Sequence, residues 1–209
     1  MAQTPRRAGA KTSNTRDVLL DCVEALMLEK GYAAVTFRNV AAKAGVAPSL
    51  VQYYFQTLDG IFIAAIRRYS ERNLTHLADA LRERADQPFR VLWEYSWEEA
   101  TGALMTEFTA LGNHRKSIRK EIAEVTEQVR KIQLDAVTAK FGNRKLEDER
   151  VTPVGLLLLV TGIPKFLNLE KGVGVSTGHR DLINAFESYL ESVEPVAKNA
   201  RRASKRRVR

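Results

Sequence analysis

The stretch TFRNVAAKAGVAPSLVQYYF, residues 36–55, holds two short helical patterns separated by a glycine. Thr36 suits the N-cap of the first helix, and Gly45 suits its end because a residue without Cβ tolerates a tight turn. Pro48 suits the first turn of the second helix, where its missing N–H would have no helical partner. The stretch therefore predicts a helix-turn-helix, an arrangement whose second helix lies in the DNA major groove.

One face of this predicted pair is apolar and would set the angle between the two helices. It comprises Val40, Ala41, Ala44, Val46, Val51 and Phe55.

The opposite face of the second helix carries side chains that suit contact with DNA. Ser49 and Gln52 can hydrogen-bond to base edges, and Pro48 and Leu50 can contact thymine methyl groups. The hydroxyls of Tyr53 and Tyr54 can reach phosphates. Because this helix has no positive charge, we expect the attraction to the DNA backbone to come from elsewhere. The candidates are Arg38, Lys43 and the N-terminal arm, and the capping residues Thr36 and Thr57 complete the predicted DNA-binding set.

This stretch resembles the DNA-binding signature of TetR-type (tetracycline-repressor-like) transcriptional regulators. The matching positions are Thr36, Val40-Ala41, Ala44-Gly45-Val46 and Tyr53-Tyr54-Phe55. The resemblance implies an all-α fold, in which three N-terminal helices are joined by a long helix to a helical body. Two departures leave the operator sequence and affinity open. Leu58 stands where many members have a phosphate-binding lysine, and Ser49 stands where glycine is common.

Helical periodicity continues through the rest of the chain. An apolar stripe of Val18, Leu19, Cys22, Val23, Leu26 and Met27 predicts a first helix over residues 15–30. Another stripe predicts a long helix over residues 115–140. We assign residues 12–57 to the DNA-binding domain and residues 58–194 to an effector-binding and dimerisation domain. Residues 1–11 and 195–209 are expected to be basic, disordered tails.

The resemblance further implies homodimers that pair through the last two helices as a four-helix bundle. The predicted interface residues are Leu156, Val160, Leu167, Leu182, Phe186 and Leu190, with burial inside one chain as the alternative. It also implies a ligand cavity in the body. We expect its walls to include Trp93, Trp97, Met105, Phe108 and Thr161, although the same side chains could form plain core.

The charge of the chain is unevenly distributed. The formal net charge is +8, but residues 1–11 and 198–209 carry ten cations and no acid, which leaves a body of −2. Such basic arms either meet a polyanion or remain solvated without a partner.

Other function classes have little support in the sequence. The single cysteine, Cys22, excludes a disulfide within the chain, and the three histidines lie far apart, so we expect no metal site. No catalytic or nucleotide-binding motif is present, and we expect no enzyme activity and no cofactor. The longest apolar run, residues 155–160, is too short to cross a bilayer, which favours the cytoplasm. A small all-helical enzyme and a sequence-independent DNA-binding protein remain as alternatives.

Overall fold

A computed structural model describes residues 6–100, 103–142 and 151–195, with side chains of residues 6–13 and 99–100 omitted. All regular structure within these ranges is helical, which confirms the predicted all-α class. The elements are α1 (Arg6–Lys30), a 3-10 turn (Tyr32–Ala34), α2 (Phe37–Ala44), α3 (Pro48–Tyr54), α4 (Leu58–Glu83), α5 (Pro88–Ala100), α6 (Ala103–His114), α7 (Lys116–Phe141), α8 (Pro153–Gly172) and α9 (His179–Val193).

Helix α1 begins about nine residues earlier than its apolar stripe predicts. The segment before Thr15 contains no proline after Pro5, and its arginines and alanines favour a helix. Residues 6–11 of the predicted N-terminal tail therefore belong to α1, while residues 1–5 and the segment 196–209 lie outside the described residues. The stripe itself is shifted, since Val18 is 45% exposed and Leu20 is fully buried.

The described residues form two compact units, and α4 and α7 each continue from one unit into the other. Unit 1 comprises residues 6–75 and 103–128, and unit 2 comprises residues 76–100, 129–142 and 151–195. The predicted domain of residues 12–57 lies within unit 1, and the predicted functional boundary at residue 57 stays a prediction.

Ion pairs connect the helices of unit 1 around its apolar core. Arg68 of α4 contacts Asp21 and Glu24 of α1 at 2.8 and 2.7 Å. Arg67 forms two hydrogen bonds, of 2.7 and 2.8 Å, to the buried carboxylate of Glu121 on α7. Both N–H groups come from one planar guanidinium, so the pair sets the orientation of α7 on α4 as well as their separation.

Unit 2 has its own apolar core, formed by residues of α4, α5, α7, α8 and α9. Its largest buried side chains include Phe89, Leu92 and Trp93 of α5 and Leu156 and Leu157 of α8. The buried residues of α8 recur at helical spacing and form one face, whereas the buried residues of α5 include the consecutive positions 91–93 and extend around more of the helix.

Helix α8 as a whole is long and apolar enough to cross a membrane by length and composition, whereas the apolar run of residues 155–160 within it is too short. One such helix is weak evidence for a membrane segment, because apolar helices of water-soluble proteins also pass. One face of α8 is buried against the other helices of unit 2, and the opposite apolar face is exposed.

Candidate nucleic-acid interface

The turn between α2 and α3 has the geometry that its residues predict. The backbone N–H of Asn39 donates to Thr36 Oγ1 at 3.1 Å, which confirms Thr36 as the N-cap of α2. Gly45 ends α2 with φ 67° and ψ 31°, in the left-handed region that favours glycine. The N–H of Val46 then donates to Ala41 O at 3.0 Å and closes the turn.

The apolar inner face packs against the rest of unit 1 as predicted for most of its members. Val40, Ala41, Val51 and Phe55 are at most 4% exposed, and Ala44 and Val46 are half-buried. The guanidinium of Arg16 lies over the Phe55 ring, 5.4 Å from its centroid. Sequence reasoning missed this cation–π contact, because residues 16 and 55 meet only in the folded chain.

The outer face of α3 is open to solvent. Tyr53 is 76% exposed, Pro48, Ser49 and Gln52 are exposed, and Leu50 and Tyr54 are half-buried. The rings of Tyr53 and Tyr54 lie edge to face with centroids 5.3 Å apart. The structure therefore brings the predicted base-reading side chains together on one accessible surface, which we call the α3 outer face (residues 48–50 and 52–54).

The predicted phosphate-binding residues have different surroundings. Arg38 is exposed, whereas Lys43 Nζ lies 2.9 Å from both carboxylate oxygens of Glu29 on α1. Thr57 caps α4 by accepting the backbone N–H of Gly60 at 3.0 Å. Because Glu29 already neutralises part of the charge of Lys43, we expect Lys43 to contribute less to DNA affinity than an unpaired lysine would.

Two further contacts in unit 1 surround the helix-turn-helix. The backbone N–H of Tyr32 donates to Glu107 Oε2 of α6 at 2.7 Å, which connects the 3-10 turn to α6. Asp59 in the first turn of α4 accepts hydrogen bonds from Ser117 and Arg115, which lower the pKa of its carboxyl. No local pattern could have revealed these pairs, because their partners lie 56–75 residues apart.

The residues predicted to line a ligand cavity fall into both units. Trp93 and Trp97 stack edge to face in unit 2, with ring centroids 5.5 Å apart. Thr161 is also in unit 2 and is buried. Met105 and Phe108 belong to unit 1, where the Phe108 ring lies 6.2 Å from that of Tyr69. Their role in ligand binding stays a prediction.

Most of the predicted dimer residues face the core of their own chain. Leu156, Val160, Leu167, Phe186 and Leu190 are at most 8% exposed, and only Leu182 is exposed, at 39%. The helical face of α8 opposite these residues carries a separate set of exposed apolar side chains. This set, which we call the α8 outer face, comprises Val154, Leu158, Leu159, Phe166 and Leu169, all 42–59% exposed. Periodicity predicted an apolar helix but not which face its own chain covers.

A search of the described side chains finds no group of three or more histidine, cysteine or acidic residues that could hold a metal ion.

An accessible second helix, held by a buried inner face and a glycine turn, is the arrangement of a helix-turn-helix DNA-binding protein. The family described as "Bacterial regulatory proteins, tetR family" matches residues 19–65, which contain the whole motif. A 73-residue segment is 37% identical to an uncharacterised helix-turn-helix transcriptional regulator from Xanthobacter autotrophicus, covering 35% of this chain and 34% of that protein. A longer match of 184 residues is 26% identical to the transcriptional repressor BepR of Brucella suis, covering 80% and 87% of the two chains.

Solved structures share the same fold over most of the chain. Reduced Escherichia coli NemR superposes with a TM-score of 0.68 at 16% identity, covering 87% of this chain and all of that one. A regulator from Saccharomonospora viridis in complex with choline gives 0.64 at 15% identity, covering 83% and 95%. Residues 19–65 match the DNA-binding domain of the tetR family, and the similarity over the longer segment to BepR supports a TetR-type, DNA-binding transcriptional regulator.

Proposed function

We propose that the protein represses transcription by binding a palindromic operator as a homodimer, and that a small, largely apolar effector releases it. The observation that carries this proposal is the exposed α3 outer face, supported from behind by an inner face that is mostly buried. A rigid helix that presents hydrogen-bonding and apolar groups to solvent suits sequence-specific readout. The repressor role is supported by the similarity of the chain to the transcriptional repressor BepR.

In this proposal Ser49 and Gln52 read base edges, while Pro48 and Leu50 contact thymine methyl groups. Tyr53, Tyr54 and Arg38 contact phosphates, and Lys43 does so after leaving Glu29. Two α3 helices related by a two-fold axis would lie roughly 34 Å apart, one turn of the DNA, and would read two half-sites.

Dimerisation is proposed to use the α8 outer face together with the exposed side of α9 around Leu182. These side chains are apolar and their own protomer leaves them uncovered. Burial of a large apolar side chain contributes about 1.5–3 kcal/mol, so a second copy gains stability by covering this face. Because Gly155 and Gly162 also lie on this face, two α8 helices can approach closely.

The effector is proposed to bind in the helical body and to favour a conformation with weaker DNA affinity. A ligand that binds the DNA-free state better must weaken DNA binding by the same factor. Trp93 and Trp97 supply an aromatic surface for it in unit 2. We place the protein in the cytoplasm, at the nucleoid.

The central test is operator binding by Tyr53→Ala. Operator fragments are first selected from genomic DNA of the source organism, and affinity is then measured by fluorescence anisotropy at fixed salt. We expect Tyr53→Ala to weaken operator binding at least tenfold, because an exposed ring and hydroxyl at the interface are lost, while the oligomeric state stays unchanged.

The matched control is Val173→Ala, because Val173 is 78% exposed and belongs to unit 2, whereas the helix-turn-helix belongs to unit 1. Equal operator binding by Tyr53→Ala and wild type would reject the assignment of α3. Equal affinity of the wild type for operator and scrambled DNA would favour the sequence-independent alternative.

A further inference from the structure

Arg130 is a half-buried cation of unit 2 with an incomplete set of partners. Its guanidinium donates to Thr161 Oγ1 at 3.4 Å, which is long for a hydrogen bond from a charged group. Among the described residues no carboxylate pairs with it. A guanidinium has five N–H donors, so most of its hydrogen-bonding capacity remains available.

The partner of Arg130 is a buried hydroxyl whose own proton is already used. Thr161 is 5% exposed, and its hydroxyl donates to Leu157 O at 2.9 Å. Thr161 Oγ1 can therefore only accept from Arg130, and it carries no charge that would neutralise the guanidinium. Because Arg130 is half-buried, an anion beside it would form stronger hydrogen bonds with the guanidinium than the neutral hydroxyl of Thr161 does.

A second unsatisfied donor lies on the same side of α8. Asn168 follows Thr161 by seven residues, or two helical turns, so both side chains share one face. The Nδ2 group of Asn168 is buried and has no hydrogen-bond partner. Pro164, between them, lacks an N–H and leaves the carbonyl of Val160 without its helical partner.

The helix that carries this polar row packs against the helix that carries the two tryptophans. Helix α5, which carries Trp93 and Trp97, packs along α8. Leu157, the residue that accepts from Thr161, belongs to the same core cluster as Trp93. The polar row and the tryptophans therefore lie on two helices that pack together.

We propose that unit 2 binds an amphipathic small molecule with a carboxylate head, which Arg130 and Thr161 hold while Trp93 and Trp97 contact its apolar part. This inference rests on the proposed function, since it names the chemical class of the effector. A carboxylate replaces the missing counter-ion and accepts two parallel N–H bonds from the guanidinium.

The test compares three probes of equal chain length that differ in head group: octanoate, octanol and octyltrimethylammonium, all below their micellar concentrations. Trp93 and Trp97 are the only tryptophans of the chain, so intrinsic fluorescence of the full-length protein reports on unit 2. We expect saturable binding of octanoate, at least tenfold tighter than that of octanol, and the weakest binding for the cation.

Arg130→Met keeps an unbranched side chain and removes the charge, so the preference for octanoate over octanol should fall to within about twofold. Lys131→Met is the control, because Lys131 is exposed and adjacent on α7, and it should keep the preference. Should Arg130→Met not fold, as judged by circular dichroism, Arg130→Lys and Thr161→Val replace it. Both should reduce the preference by a smaller factor.

Equal affinity of the wild type for octanoate and octanol, or no saturable binding of octanoate, would overturn the proposal. A preference that persists in the Arg130 variants would do the same. Operator binding is measured in parallel: octanoate binding without operator release would reject the repressor mechanism and leave the carboxylate site standing. Specific operator binding without octanoate binding would reject only the site.

Discussion

At the scale of single residues, Gly45 sets the backbone path between α2 and α3. Its φ of 67° is left-handed, but a Cβ built on it meets nothing within 4 Å. The requirement for glycine at this position is therefore conformational and not steric. The sequence revealed the position because glycine at the end of a helical pattern is a strong local signal.

Replacing Gly45 by alanine should lower the free energy of unfolding by about 1–2 kcal/mol, the strain of a left-handed L-residue. Gly45→Asn should lower the free energy of unfolding by less, because asparagine tolerates the left-handed region better than alanine does. Thermal unfolding followed by circular dichroism measures both variants. A Gly45→Ala variant as stable as the wild type would show that the turn does not need a left-handed residue at position 45.

At the scale of elements, the N-terminus of α5 is capped by a residue from the other end of unit 2. Glu194, just after α9, is 3% exposed and accepts the backbone N–H groups of Phe89 and Arg90 at 3.0 and 2.8 Å. The Arg90 guanidinium in turn donates to Glu194 O and to Glu191 Oε2. This cap connects the end of α9 to the start of α5, and no local sequence pattern predicts it.

Burial raises the pKa of Glu194, because desolvation of the carboxylate outweighs the stabilising amide bonds and the charge of Arg90. The pKa of Glu194 is therefore higher in the folded than in the unfolded chain. As a result, the contribution of Glu194 to the free energy of unfolding is fully present below its ordinary pKa and is lost as pH rises through its folded pKa. The stability of wild type relative to Glu194→Gln should therefore fall as pH rises through this range.

Urea unfolding of both proteins at a series of pH values from 3 to 8 isolates this effect, because all other titrating groups cancel in the difference. The control is Glu187→Gln, an exposed acid on α9. A difference that is constant with pH, or that grows as pH rises, would contradict the raised pKa of Glu194.

At the scale of the whole molecule, the α8 outer face is an apolar surface that the described residues leave exposed. Five large apolar side chains are exposed on one helix of twenty residues. A contiguous apolar surface of this kind usually marks an interaction site. Pairing through this face would bring together two copies and so two α3 helices.

Leu158→Glu combined with Phe166→Glu should convert a dimer into monomers, because pairing would bury carboxylates in apolar surroundings. We expect the dimer dissociation constant to rise at least a hundredfold, or about 3 kcal/mol. Analytical ultracentrifugation over a concentration series measures it.

The control is Leu28→Glu, since Leu28 is 55% exposed, as is Phe166, but lies on α1. A double variant that remains a dimer at low concentration would place the interface on another surface.

The sequence by itself determined the all-helical class, the helix-turn-helix, the caps Thr36 and Gly45, and the start of α3 at Pro48. These features depend on residues within one or two turns of each other. It also predicted the apolar inner face of the motif, since that face follows helical periodicity. Its choice of a first helix over residues 15–30 was too short, because the additional turns of α1 carry no apolar stripe.

Only the tertiary structure decided which side of each apolar helix is covered. It placed Leu156, Val160 and Phe186 in the core of their own chain and left Leu158 and Phe166 exposed. It also paired Lys43 with Glu29 and Arg130 with Thr161, across gaps of 14 and 31 residues. The physical reason is that periodicity defines a helix face, whereas the packing of distant segments decides what that face meets.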